Sequence, residues 1–185
     1  LNLETKNFVN SLGVRLIEVS NGTGSGTFRD ALNLAIKENK DEDFVYLLED
    51  DFLHKPNSKK ILLEGLNTFD AYITLYDHPD KYMPINKGGN PYVKEGGEIT
   101  RLVITNSIHW KITNSTVMSF AARVSRLKDD LDLLNKYSSQ NITDSFKFFL
   151  ELNQTKSIPV ISSVPGYSTH GEEYWLSPFT NWNKI

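Results

Sequence analysis

The chain has 185 residues and a formal net charge of −3, with 39% apolar and 23% charged residues. That length supports one domain with a sizeable core, and the charge balance offers no basic surface to nucleic acid or to an anionic membrane. Cysteine is absent, which excludes disulfides and thiolate metal sites, and no apolar run reaches the ~20 residues of a membrane-spanning helix.

Leu1 is not a methionine, so the chain reads as a fragment or trimmed domain, with any anchor or partner domain outside it. Residues 5–12 place Phe8 and Leu12 on one helical face, and Gly13 ends that helix. Residues 14–19 read as a strand. Residues 20–26 form a loop with glycines at 22, 24 and 26. It either lets backbone approach a ligand or is a flexible turn. Thr27 is placed to cap the next helix, whose buried face is Phe28, Leu32, Ala35 and Ile36. Arg29 stands in its first turn against the helix dipole. That position fits an anionic ligand or an exposed surface arginine.

The central stretch follows. Phe44, Val45, Tyr46, Leu47 and Leu48 run without a polar break into Glu49, Asp50 and Asp51. Such a run predicts a strand buried on both faces. Ligands of open α/β sheets bind beyond the carboxyl ends of strands. Adjacent carboxylates repel unless they share a cation, so the triplet predicts a hard divalent metal, Mn²⁺ or Mg²⁺, holding a phosphate-bearing substrate. The bland alternative is a solvated acidic turn.

Another helix begins near Pro56 with Ile61, Leu62 and Leu66 inside, and residues 71–76 form a strand ending at Asp77, His78 and Asp80. His54 and His78 read as surface or loop residues. Residues 81–97, rich in glycine and proline up to Gly96 and Gly97, predict a mobile loop over the site. Strands are expected at 99–104, 108–112 and 116–121. In the second, Ile108, Trp110 and Ile112 face inward while His109 and Lys111 face out. A helix then buries Leu127, Leu131 and Leu134. Asp144 opens a further helix with Phe146, Phe149 and Leu150 inside, and residues 158–164 make a last strand before His170. Sequons at Asn21, Asn114, Asn141 and Asn153 read as chance in a chain rich in Asn, Ser and Thr. Alternating helices and strands predict one α/β domain with a mixed, mostly parallel central sheet and a small antiparallel part in the second half.

The run Gly26-Thr27-Phe28-Arg29-Asp30-Ala31-Leu32-Asn33, followed by Tyr46-Leu47-Leu48-Glu49-Asp50-Asp51, resembles GT-A glycosyltransferases, including the small domains encoded by large DNA viruses of algae. The resemblance spans most of the chain and implies a GT-A fold. Residues 1–97 would be the nucleotide-sugar half and 98–185 the acceptor half. It implies a hexosyltransferase that moves a sugar from a UDP-linked donor to a glycan or glycoprotein acceptor, in the cytoplasm of a host cell. By position it assigns Ser20 and Asn21 to the nucleobase, Arg29 to the diphosphate, Glu49 and Asp50 to the donor, and Asp50, Asp51 and His170 to Mn²⁺ or Mg²⁺. Asp144 would face the acceptor hydroxyl as a catalytic acid–base group, although it is equally a good helix cap. The family's first strand has no counterpart before Leu1. The signature reads Arg-Asp rather than Arg-Asn, and the first acid is Glu. The alternatives are a sugar nucleotidyltransferase and a non-catalytic nucleotide-sugar or glycan-binding module.

Overall fold

The computed structural model describes residues 2–93, 97–140 and 143–185. The sequon at Asn141 and the Gly96 end of the expected loop lie outside them. In chain order the elements are α1 (Leu3–Ser11), α2 (Gly24–Glu38), β1 (Phe44–Leu47), β2 (Phe52–His54), α3 (Ser58–Thr68), β3 (Tyr72–Thr74) and β4 (Leu102–Ile104). They continue as β5 (His109–Thr113), β6 (Phe120–Arg123), α4 (Val124–Asp129), α5 (Leu131–Tyr137), α6 (Ser145–Lys156), β7 (Val160–Val164) and β8 (Ser168–His170).

Six strands form one sheet in the order β1-β6-β3-β7-β5-β4, and β2 pairs with β8 in a second, two-stranded sheet. Only β3 and β7 run parallel as neighbours; the other pairs of the large sheet are antiparallel. The expected α/β class holds, but a mostly parallel sheet does not. One cause is local. Residues 14–19, expected as a strand, form no strand or helix, and Val14, Ile17 and Val19 are exposed. β1 therefore ends the sheet instead of standing inside it, and β6 inserts between β1 and β3.

Alternation along the strands builds two apolar layers. Leu47, Tyr72, Phe120 and Val160 face Leu32 of α2 and Phe148, Phe149 and Leu152 of α6. Ile73, Ala121 and Ile161 face Ile61, Leu62 and Leu66 of α3, with Trp110. The expected inner face of α6 is thus shifted: Phe148 and Leu152 are buried where Phe146 and Leu150 were expected. The expected helix over 127–134 is two short helices, α4 and α5. α1 forms as expected, with Gly13 at positive φ just beyond it, yet buries no residue.

The strand directions decide where the site lies. β1, β3 and β7 point the same way, so their carboxyl ends share one edge of the molecule. From that edge leave the acid triplet, the 77–80 segment and the link to β8.

Candidate metal and ligand site

β1 hands the chain directly to Glu49, Asp50 and Asp51, and β2 starts at Phe52. Phe52 is opposite His170 in the β2–β8 register. That pairing carries a histidine from the far end of the chain to the acids. His170 Nε2 stands 3.0 Å from Asp51 Oδ2. One ligand atom each from Glu49, Asp51 and His170 lies within 4.8 Å of the others. Two oxygens and an imidazole nitrogen suit Mn²⁺ better than an all-oxygen Mg²⁺ site. Burial pushes the Glu49 carboxyl above the usual range; the charges of Asp51 and Asp50 add to this and His170 opposes it. A carboxyl held up by its neighbours is one that a cation would relieve.

The imidazole has a preferred tautomer. Nδ1 of His170 accepts the Glu172 N–H at 3.2 Å, so its proton sits on Nε2 and is donated to Asp51. Taking a cation at Nε2 requires that proton to move to Nδ1, against the Glu172 N–H. By this geometry His170 is a weaker ligand than Asp51.

The acids form one wall of a cavity of about 830 Å³, within the size range of small-molecule sites. Phe28, Leu47 and Met118 supply apolar surface, and Ser25, Thr143 and Ser145 supply hydroxyls. Gly24 and Ser25 are the first two residues of α2 and face the same space. Thr23 caps that helix and accepts from Gly26 N–H, one turn earlier than the expected Thr27 cap. The Gly24 and Ser25 N–H groups, with no acid in the first turn, make the α2 end attractive to an anion. Ser25 Oγ and Thr143 Oγ1 are 2.8 Å apart and tie α2 to the start of α6.

The structure separates several residues expected to act together. Glu49, Asp50 and Asp51 line the cavity, and His170 backs Asp51. Arg29 does not line it. Its guanidinium donates instead to the carbonyl of Ser138, the C-cap of α5, where a cation is favourable. Ser20 and Asn21 are exposed, and the Asn21 amide donates to Asp30. Asp144 caps α6: Oδ1 accepts the Lys147 N–H at 3.0 Å and Oδ2 meets Lys147 Nζ at 2.9 Å. Burial raises its pKa, but the bonds and charge of Lys147 outweigh this and hold it below the usual carboxylate range. In this arrangement Asp144 is a cap with a weakly basic carboxylate.

Sequence reasoning missed the turn over residues 116–119. Ser119 N–H donates to Thr116 O, and Val117 and Met118 both hold positive φ, 50° and 57°. Thr116–Ser119 thus carries the φ pair of a type I′ turn, which favours Asn and Gly. Both central residues line the cavity. The turn displaces the expected 116–121 strand to β6. Only the φ values disclose it; no turn-forming residue does.

Comparison of the chain with protein-family models, with curated proteins and with solved structures finds no match.

Proposed function

We propose that the chain is a metal-dependent glycosyltransferase of the GT-A type, taking a nucleoside-diphosphate sugar, UDP-linked, and an acceptor hydroxyl. The observation that carries the reading is the Glu49–Asp51–His170 group, whose two acids line an 830 Å³ cavity that also holds the start of α2 while His170 stands behind Asp51. A cation site and a helix N-terminus across one cavity fit the two phosphates of such a donor. When bound, Mn²⁺ or Mg²⁺ supplies positive charge to the departing nucleoside diphosphate. Asp51 and Glu49 hold that cation, and the Gly24 and Ser25 N–H groups bind phosphate oxygen.

A non-catalytic nucleotide-sugar-binding module is the second reading. One observation favours it: the Asp144 carboxylate is committed to its cap and to Lys147.

Titration calorimetry with UDP, with and without Mn²⁺, tests the site. UDP should bind more tightly with Mn²⁺, and Asp51→Ala should remove that gain; His170→Ala should cost about 10-fold, the scale of a supporting ligand. Equal UDP binding in Mn²⁺ and in a chelator would overturn the metal reading. Release of free UDP from a UDP-sugar separates the enzyme from the binding module.

A further inference from the structure

We propose that the cavity selects a donor whose transferred sugar carries no charge, and that the Ser145 hydroxyl recognises that sugar. The inference rests on the glycosyltransferase reading and adds the class of sugar to it.

The first ground is charge. Glu49, Asp50 and Asp51 line the cavity, and among the described residues no lysine or arginine does. Two cations on the flanking helices are engaged elsewhere: Arg29 on α2 with Ser138 O, and Lys147 on α6 with Asp144. One divalent cation cannot neutralise both the diphosphate and three acids. A sugar carboxylate entering that space would meet like charge without a partner.

The second ground is a hydroxyl without a bond. Ser145 is the first residue of α6 and is only 8% exposed. It lines the cavity, and among the described residues its Oγ has no hydrogen-bond partner. Its neighbours Ser25 and Thr143 satisfy each other. Ser145 Oγ is not one of the fully buried unpaired side-chain atoms, so it opens onto the cavity that the residue lines, where a ligand hydroxyl can reach it. Phe28, Val117 and Met118 are also in the wall. Hydroxyls beside apolar surface match a pyranose, which presents both.

The test is calorimetry on the whole chain in Mn²⁺, with UDP, UDP-glucose, UDP-galactose and UDP-glucuronate. One of the neutral donors should bind at least ~10-fold tighter than UDP-glucuronate, the loss expected for one unpaired charge. Ser145→Ala should weaken that neutral donor by about 3–10-fold, one hydrogen bond, while UDP alone is unchanged. Ser145→Thr, which keeps the hydroxyl, should restore binding. UDP-glucuronate binding as tightly as the neutral donors would overturn the proposal. So would Ser145→Ala weakening UDP and UDP-sugars alike, since that marks a structural hydroxyl. If UDP does not bind, GDP-mannose and GDP-mannuronate replace the pair. Failure of both nucleotides overturns the glycosyltransferase reading and this proposal with it. Normal nucleotide binding without discrimination between sugars overturns this proposal alone.

Discussion

Gly171 shows how a single missing side chain positions the Glu49–Asp51–His170 group. Its N–H donates to Asp51 O at 2.7 Å, one residue after His170. A Cβ there would stand 2.8 Å from the same Asp51 oxygen, closer than real side chains approach backbone. Gly171→Ala must therefore shift Asp51 or the strand end at His170 and disturb their 3.0 Å approach. We expect the affinity for Mn²⁺ alone to fall by about 10-fold, as when a supporting contact of a metal site is lost, with little change in melting temperature. Calorimetry with Mn²⁺ and a thermal melt check both halves, and unchanged Mn²⁺ affinity would show that the close approach does not set the site.

At the scale of elements, the 116–119 turn is the least comfortable piece of backbone beside the cavity. A β-branched residue at positive φ costs about 1–2 kcal/mol, and Val117 sits there. Thr116 Oγ1 and Ser119 Oγ are buried without a partner on either side of it. Strain of this kind persists where the surroundings hold it, commonly at binding sites. Val117→Asn suits the turn type and should raise stability by about 1 kcal/mol, read as a higher urea midpoint at unchanged slope. Because Val117 is in the cavity wall, the same change should weaken donor binding. A lowered midpoint would show that the valine's packing outweighs its backbone cost.

Across the whole molecule, the segment expected to be a mobile loop is tied into the interior. Lys111 on β5 is buried, contrary to its outward place in the alternation, because its ammonium lies 2.8 Å from Asp77 and 3.1 Å from Glu98. Asp80, Lys81 and Asn90 are buried beside it, with the Asn90 amide donating to Asp80. His78, expected as a surface or loop residue, lies in the loop after β3, 2.8 Å from Asp80, and is mostly covered. These ties fasten the described part of residues 77–98 to the sheet at Lys111 of β5. They also give a pH signature. Burial pushes the Asp80 carboxyl up, but the neighbouring His78 imidazole and Lys81 ammonium outweigh it and hold its pKa low. Lys81 is shifted down too, mainly by burial against the pull of Asp80 and Glu98. A carboxyl with a lowered folded pKa adds stability that is complete above its unfolded value of ~3.9 and is lost as pH falls through the folded one. Urea midpoints from pH 7 to 2 should therefore drop steeply below about pH 4. Asp80→Asn should start lower at pH 7 and show a shallower drop. Parallel curves for the two proteins would remove Asp80 from the acid transition.

Much of this protein is readable in its sequence, because local chemistry acts over a few residues. The apolar periods of α2 and α3, a strand leading to Glu49, Asp50 and Asp51, and the cap chemistry of Asp144 appear in the structure, but β1 is a half-buried edge strand with Leu48 exposed, not the strand buried on both faces that its apolar run predicts. What depends on distant partners was not readable. Whether residues 14–19 pair is decided by the neighbour available to them, not by their alternation. Whether Lys111 faces water is decided by Asp77 and Glu98, whose charges repay its burial. Arg29 turns to the Ser138 carbonyl at the C-terminal end of α5, where a cation is favourable. The sequence by itself determined the α/β class and the acids at a strand's carboxyl end. The tertiary structure alone decided that β6 enters between β1 and β3, and that the β2–β8 register sets His170 against Asp51. Strand order and register are long-range choices, fixed by which faces can be buried together.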